Sequence, residues 1–561
     1  MSDLSKNEIQ DTADISPTAL KPWSALKKFG FRVLFIFLLA MCIPFSPNWY
    51  KNVLTLDWSR PHYRDLYDIA RFQPGFLSLF GGQRNRDITD SPDGNAASGK
   101  DKKNSVKIEN SGKKATANTV ALPAKKSFLA DYADWGVALF IGLLGGAIWS
   151  VLDRKRKSYH ELYYWIRVVV RYRAGIGIIG FGFTKLFPTQ MPYPSLGLLN
   201  SNFGDFTAQK IYWLSVGIVP WYQVFGGVVE ILAGALLFFR KTTTFGAILL
   251  IAALGDITFV NYAYDGGVHV YAFYFVVLGL FLLADDIPKL YNLLILERYT
   301  VPFRVYPDLR KPAWKYTRIG LKVLTFLIFF GVMTYTEIIN FKYDPYKQPA
   351  TAGVKNLRGN YRVTEFKING QVVPFNPLDS TRWQEATFEN WTTLTFRVNR
   401  PVLIDPSNGG GSPMRDIQRT FEISGVAGGQ RAFHYYADTI DKVLYLQDKN
   451  VMALRGQAKN KAATAEIKKP DEWISKAAWA HIGNEKEMID PRAWSTRRDR
   501  EFAAQPKEIR RNRMVLHYET KDGSKVLLTG LNEYNDSVSI VLNRYDRPYV
   551  LPKSTLNAGK Y

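Results

Sequence analysis

Among the ionisable residues that fall inside apolar runs of this chain, five stand out: Arg171, Arg173, Lys185, Glu230 and Asp256. A charge at the centre of a bilayer costs about 2.5–3.5 kcal/mol even on the mild insertion scale, so each of them needs a partner or a task. Arg171, Gly175, Gly182 and Lys185 recur at intervals that keep them on one helix face, with Ile178 between them. Gly226, Glu230 and Gly234 repeat at every fourth position. The glycines Gly175, Gly182, Gly226 and Gly234 permit close helix approach, which places the Glu230 carboxylate in a tight seam opposite a basic group. Arg171 or Arg173 is the expected partner. Two readings of the cluster stay open. The charges fix helix register, as buried ion pairs do, or they line a polar pocket for a quinone head group, a proton or a small polar substrate.

No other constellation competes with this one. Of the six histidines, His160 and His269 fall at opposite ends of their runs and cannot share a haem. His62, His434, His481 and His517 are scattered through polar segments without HExxH, CxxCH or paired spacing, so no metal site is expected. There is no phosphate loop, dinucleotide fingerprint or nucleophile–base arrangement, which leaves catalytic residues unassigned and no cofactor motif identifiable. The single cysteine, Cys42, excludes a disulfide or a CxxC relay within the chain. Leu39-Ala40-Met41-Cys42 departs from a lipoprotein box at Met41. Trp49, Trp135, Trp221, Tyr222 and Tyr335 sit near the ends of apolar runs, where an aromatic belt accounts for them.

The elements that must position the five charges are legible from hydropathy. The chain has 561 residues, 47% hydrophobic and 22% charged. Its apolar residues are gathered in runs of roughly 18 to 25, the length that a hydrocarbon core about 30 Å thick demands. Residues 1–28 form a polar cytoplasmic tail, and 29–46, apolar except for Arg32, reads as an uncleaved signal anchor and first transmembrane helix. Further runs at 132–151, 162–187, 217–239, 244–264, 268–285 and 318–338 bring the expected number of transmembrane helices to about seven. The net charge of +23 collects at the ends of these runs. It lies in Arg154-Lys155-Arg156-Lys157 after the second helix (132–161 with its basic turn), in Arg240-Lys241, and in a basic loop at 287–317. The positive-inside rule then puts the N-terminus and these turns in the cytoplasm of a bacterial inner membrane. Lipid head groups account for the charge without nucleic acid. The first outer loop, 47–131, contains an amphipathic helix at Tyr63–Ala70, expected on the membrane surface. Its stretch 81–126 is polar and poor in aromatics, and is expected to be disordered.

With an odd number of crossings, residues 339–561 belong to the periplasm. They carry short alternating strands at 361–366, 391–398, 420–423, 431–436, 442–446, 514–518, 525–529 and 537–542, with Asn369-Gly370 and Asp522-Gly523 as hairpin signals. Eight or more such strands suggest an all-β barrel or sandwich, interrupted by a basic insertion at 456–512.

Residues 162–286 resemble the DoxX-like membrane family, a compact four-helix unit. The resemblance rests on Arg171, Gly175, Gly182, Lys185, Leu186 and Phe187 in the first helix of the unit. In its second it rests on Gly226, Gly227, Glu230, Gly234 and Arg240. It implies a helical bundle associated with membrane redox systems, including quinone-linked sulfur oxidation and oxidative-stress complexes, with a quinone as the associated small molecule. The strand region is similar to lipocalin-type barrels. The expected function is a membrane subunit of a redox or envelope-stress complex that binds a quinone-like or small amphipathic molecule. Without an electron carrier of its own, it is not expected to be a self-sufficient enzyme. The lipid bilayer is the expected partner, with periplasmic or membrane proteins beside it. Two alternatives stand next to this: an envelope scaffold whose β-domain binds a lipid or protein, and a small-solute transporter using Glu230 and Asp256.

Overall fold

The apolar runs form helices and the alternating segments form strands in the computed structural model, which describes residues 22–72, 74–76, 131–299, 307, 311–345, 347–400, 415–422, 430–450, 473–496, 499 and 511–561. The stretch 81–126, the tail before residue 22 and part of the 456–512 insertion lie outside the described residues. The helices are α1 Ala25–Cys42, α2 Pro47–Leu54, α3 Tyr63–Ala70, α4 Ala133–Leu152, α5 His160–Leu186, α6 Leu196–Leu199, α7 Ala208–Gly217, α8 Pro220–Leu237, α9 Thr243–Ala263, α10 His269–Leu283 and α11 Ile287–Leu294. They are followed by α12, Pro312–Tyr343, which contains a π-helical segment at Leu327–Val332. Helices α4, α8, α9 and α12 are long and apolar enough to cross a membrane, and the pair α10 and α11, bent by 71°, would make a fifth. Helices α1 and α5 coincide with expected runs but carry Lys27, Lys28 and Arg32, and Arg167, Arg171, Arg173 and Lys185.

Helices α5, α8, α9 and α10 pack in a ring in which each touches the next and α10 returns to α5. The α5–α8 contact is built on glycine. A Cβ on Gly182 would lie 2.5 Å from Ile231 Cγ1 and 3.0 Å from the Gly227 carbonyl, and one on Gly234 would lie 3.0 Å from the Gly175 carbonyl. The seam therefore runs through Gly175, Gly182, Gly227 and Gly234. Gly226 lies beside it, where a Cβ would meet only Lys185 Cδ at 3.9 Å, which corrects the expectation that Gly226 packs the seam. Helix α1 packs on α4 and α5. Its Arg32 donates to Tyr159 Oη, Ser150 Oγ and the Asp153 carbonyl at 2.7–2.8 Å, so this charge caps the α4–α5 turn. Helix α3 forms as expected, but it does not lie on a surface. Tyr63, Leu66 and Tyr67 are buried against α5 and α12, because its apolar face finds protein on both sides.

The bundle has two unlike ends. The Trp23 amide donates to the Lys157 carbonyl at 3.0 Å, and Lys322 lies over Phe239, so Lys27, Lys28, Arg154, Lys155, Arg156, Lys157, Arg240 and Lys322 share one end. The strand domain occupies the other.

That domain is a closed antiparallel barrel of eight strands, not a sandwich. Its strands are β1 Gly359–Ile368, β3 Glu385–Phe388, β4 Thr393–Arg397, β5 Gln430–Asp438, β6 Val443–Asp448, β7 Arg513–Glu519, β8 Lys525–Leu531 and β9 Ser537–Tyr545. The short β2, Gln371–Val372, pairs only with the end of β1. Each main strand pairs with the next, and β1 closes on β9 with Val363 opposite Leu542 and Phe366 opposite Ile540. Asn369 and Gly370, both at positive φ, make the tight turn between β1 and β2 that their sequence signals. Side chains fill the interior: Trp383 stacks on Phe396 at 3.8 Å, and Phe396 on Phe433 at 5.4 Å. Of the expected strand at 420–423, residues 421 and 422 form a turn, 420 belongs to no strand, and 423 lies outside the described residues. Of the insertion, the short helix Lys476–Ile482 packs on Tyr436 of β5.

The barrel sits on the bundle through buried polar contacts. Glu389 accepts from the amides of Leu196 and Gly197 at 2.9 and 2.8 Å. Arg419 is paired with Asp344 at the end of α12, and His62 Nε2 lies 3.4 Å from the same carboxylate. The C-terminal segment crosses the junction, with the Gly559 amide donating to the Phe341 carbonyl at 2.8 Å.

Candidate functional site

Lys185 comes from the last turn of α5 and Glu230 from the middle of α8, and the glycine seam brings their helices close enough for the two to form a buried ion pair. Glu230 thus pairs with Lys185 and not with Arg171 or Arg173, as the spacing suggested. The physical reason is that both arginines are engaged by main-chain carbonyls. Arg171 Nε donates to the Leu237 carbonyl at 2.8 Å, capping the end of α8. Arg173 donates to the carbonyls of Ala70 and Phe72 at 3.1 and 2.6 Å and lies 3.9 Å over the Phe72 ring, tying the segment after α3 to the bundle. Asp256 is on the exposed face of α9, where its charge acts on Tyr212 of the cavity wall rather than forming an ion pair with either arginine among the described residues. The five charges are therefore one pair, two helix ties and one exposed carboxylate.

The pair borders a cavity of about 80 Å³ at the barrel end of the four-helix ring. A cavity of this size exceeds the room one water needs several-fold. Its apolar wall includes Ile178 of α5, Leu254 and Ile257 of α9, and Phe275 of α10. Its polar side is made by Lys185, Glu230, Tyr212 and Trp213 of α7, Asn261, and Lys347 from the segment that leads into the barrel. Two buried polar atoms at this site have no hydrogen-bond partner among the described residues: Glu230 Oε2 and Trp213 Nε1. Lys347 is 2% exposed, with its ammonium 4.4 Å from the Trp213 ring centre. Burial, followed by the charges of Lys210, Arg64 and Arg71, holds its proton affinity well below the usual lysine range.

A second polar layer joins the cavity to the barrel junction. Gln190, which lines the cavity, meets Thr184 at 3.3 Å. Thr189 donates to Glu337 at 3.2 Å, and Asn340 donates to the other Glu337 oxygen at 3.0 Å. Asn340 leads within one turn of α12 to Asp344, where Arg419 and His62 meet.

Lys185 and Glu230 were visible in the sequence, but Tyr212, Trp213, Asn261 and Lys347 were not. Helix α7 is announced by Thr207, whose hydroxyl accepts from the Lys210 amide as an N-cap. Nothing local marks Lys347, which reaches the site only because the barrel folds back over the bundle. Away from the cavity, Asp438, Asp441 and His481 are grouped closely enough to hold a metal ion. Hydrogen bonding already accounts for them: His481 Nδ1 lies 2.9 Å from Asp438 Oδ2, and Asp438 Oδ1 accepts from the Ile440 and Asp441 amides.

Comparison of the chain with family models, with curated proteins and with solved structures finds no match.

Proposed function

We propose that this chain is a multi-pass protein of the bacterial inner membrane, with a DoxX-like core made by α5, α8, α9 and α10. In this reading α1 and α5 also cross the bilayer, giving seven crossings, with the N-terminus cytoplasmic and the barrel periplasmic. The core binds a quinone-like or small amphipathic molecule, and the protein serves as a subunit of a membrane redox or envelope-stress complex rather than as an enzyme by itself. The observation that carries the reading is the cavity beside Lys185 and Glu230, apolar on one wall and polar on the other, at the barrel end of the ring. Concave, mostly apolar sites with a few convergent polar groups are where small molecules bind. The side chains that fill the barrel favour a protein partner on its outer wall over a ligand within it.

The test is purification of the tagged chain in mild detergent, with bound small molecules and co-purifying proteins identified by mass spectrometry. Glu230→Gln and Ala272→Phe, the latter filling the cavity from α10, are run in parallel. A quinone or other amphiphile present with the unmodified chain and lost from both variants supports the reading. Equal recovery from all three chains sinks it.

A further inference from the structure

A groove of about 410 Å³ runs between α1 and α4 on the outside of the bundle. It is apolar throughout, lined on one side by Gly30, Leu34 and Phe37 of α1 and on the other by Leu139 and Leu143 of α4. Gly30 sets its width. A Cβ there would meet nothing within 4 Å, so a side chain is missing from the groove rather than forbidden. The glycines of α4 do the opposite: a Cβ on Gly142, Gly145 or Gly146 would lie 2.7–3.0 Å from Val33 or Ile36, so these residues are turned onto α1 and lock the two helices together. In a bilayer, helices associate through small residues that let backbones approach or through hydrogen bonds across the contact, because lipid tails are as apolar as leucine. Bulky side chains around one glycine offer a helix of another chain neither device. An acyl chain needs neither.

The mouth of the groove is basic. Lys27 precedes Gly30 by three residues and Leu34 by seven, which puts it on the same face of α1, about 4.5 Å beyond the groove along the axis. Lys27 is exposed, with its ammonium 4.8 Å from the Trp23 ring centre, a contact that leaves its charge in place. Lys28 Nζ donates to the Arg156 carbonyl at 3.3 Å, which draws the exposed Arg154, Lys155, Arg156 and Lys157 to the same end. The carboxylates there are fewer and mostly engaged. Asp153 accepts from the Tyr159 hydroxyl at 2.9 Å, Asp285 lies 3.7 Å from Arg167, Asp286 lies 3.1 Å from Lys289, and Glu161 is exposed.

We propose, resting on the reading that α1 and α4 cross the bilayer, that this groove holds one anionic glycerophospholipid of the cytoplasmic leaflet. One acyl chain lies along Gly30, Leu34 and Phe37 against Leu139 and Leu143, and the phosphate and head group meet Lys27, Lys28 and the basic turn. The site shares no lining residue with the cavity at the barrel end.

The test uses the full chain in phosphatidylcholine nanodiscs that carry phosphatidylglycerol with a photoactivatable diazirine in one acyl chain, and adducts are located by mass spectrometry. Adducts are expected to concentrate in the groove. The same probe with a choline head group is expected to label the groove about tenfold less, since each lysine near an anionic lipid contributes a factor of about five. Both probes should label Phe140, Leu144 and Ile148, on the exposed face of α4, to the same extent. Lys27→Gln/Lys28→Gln is expected to remove most of the head-group preference. Gly30→Leu, which fills the groove without a clash, is expected to cut groove labelling at least about fivefold, and Gly320→Leu, equally open on α12, to leave it unchanged. Equal groove labelling by the two head groups, a preference unmoved by the double lysine variant, or adducts undiminished by Gly30→Leu would overturn the proposal. Adducts at Phe140, Leu144 and Ile148 with none in the groove would overturn it as well, and a helix of another chain seated there would give that pattern. Absence of adducts from all of α4 would remove the crossing on which the proposal rests. The comparison of head groups needs no variant, so a substitution that fails to fold does not shield the proposal.

Discussion

Lys185 and Glu230 are one contact, and removing either partner strands the other in a water-poor seam. Breaking a buried pair from one side typically costs about 3–5 kcal/mol, whereas replacing both partners by apolar residues is often neutral. Glu230→Leu is therefore expected to lower the melting temperature in detergent sharply. The double variant Lys185→Met/Glu230→Leu is expected to recover most of the loss while abolishing ligand binding. If the double variant is no more stable than the single one, the two residues do not act as one contact. A second residue-scale expectation concerns Glu389 at the barrel junction. Burial pushes its carboxyl up to about 7, with Glu422 adding to the effect, although the Gly197 and Leu196 amides oppose it. Below the ordinary carboxylate value the group is protonated in both the folded and unfolded chain. Between that value and about 7 the unfolded chain ionises and the folded one resists. The stability it contributes is present in full at acid pH and lost as pH rises through about 7, with a slope of at most about 1.4 kcal/mol per pH unit. Glu389→Gln should flatten this part of the melting profile, and identical slopes for the two chains would show that another group titrates. At this scale the sequence revealed the ionisable positions but not their partners, because the carbonyls that engage Arg171 and Arg173 belong to α8 and to the segment after α3, which sequence distance conceals.

Among the elements, the α5–α8 seam makes the strongest claim, since adjacent glycines differ completely in what surrounds them. A Cβ on Gly227 would sit 2.5 Å from the Leu186 amide nitrogen and 2.6 Å from the Gly182 carbonyl, both backbone atoms that cannot step aside. On Gly226 it would be in ordinary contact at 3.9 Å. Gly227→Ala should therefore cost about 1–3 kcal/mol, the usual range for overpacking, and open the cavity mouth. Gly226→Ala should fold as the unmodified chain does and gain slightly in helix propensity. Melting of the two single variants in one detergent decides the matter, and equal losses would contradict the seam. The periodic helices and most strands were readable in the sequence for the same reason, that one face of each is apolar. Strand β3 was not. Its residues Ala386, Thr387 and Phe388 are all buried, because the barrel interior covers one face and the loop around Asn200 the other. A strand covered on both sides loses the alternation by which strands are recognised. Helix α3 was visible as an amphipathic segment, but its burial depends on elements more than a hundred residues away.

At the scale of the whole molecule, the basic end and the barrel end oppose each other across the length of the bundle. The proposed orientation requires the first to face the cytoplasm and the second the periplasm, because Lys and Arg resist translocation. The chain supplies a clean background for testing this, since its one cysteine, Cys42, is buried. A cysteine placed at the exposed Arg156, in the α4–α5 turn, and another at the exposed Ser524, in the β7–β8 turn, report on the two ends separately. In intact spheroplasts a membrane-impermeant maleimide is expected to label Ser524→Cys and spare Arg156→Cys, and permeabilisation should expose Arg156→Cys as well. Labelling of Arg156→Cys in intact spheroplasts with protection of Ser524→Cys would invert the chain. Labelling of both would mean that the bundle does not separate two compartments. The consequence reaches back to the cavity, which lies at the barrel end. If that end is periplasmic, a small molecule in the cavity would lie beneath the barrel, on the side where the polar chain through Glu337, Asn340 and Asp344 reaches Arg419. Occupancy of the cavity and seating of the barrel would then be linked through residues that touch both.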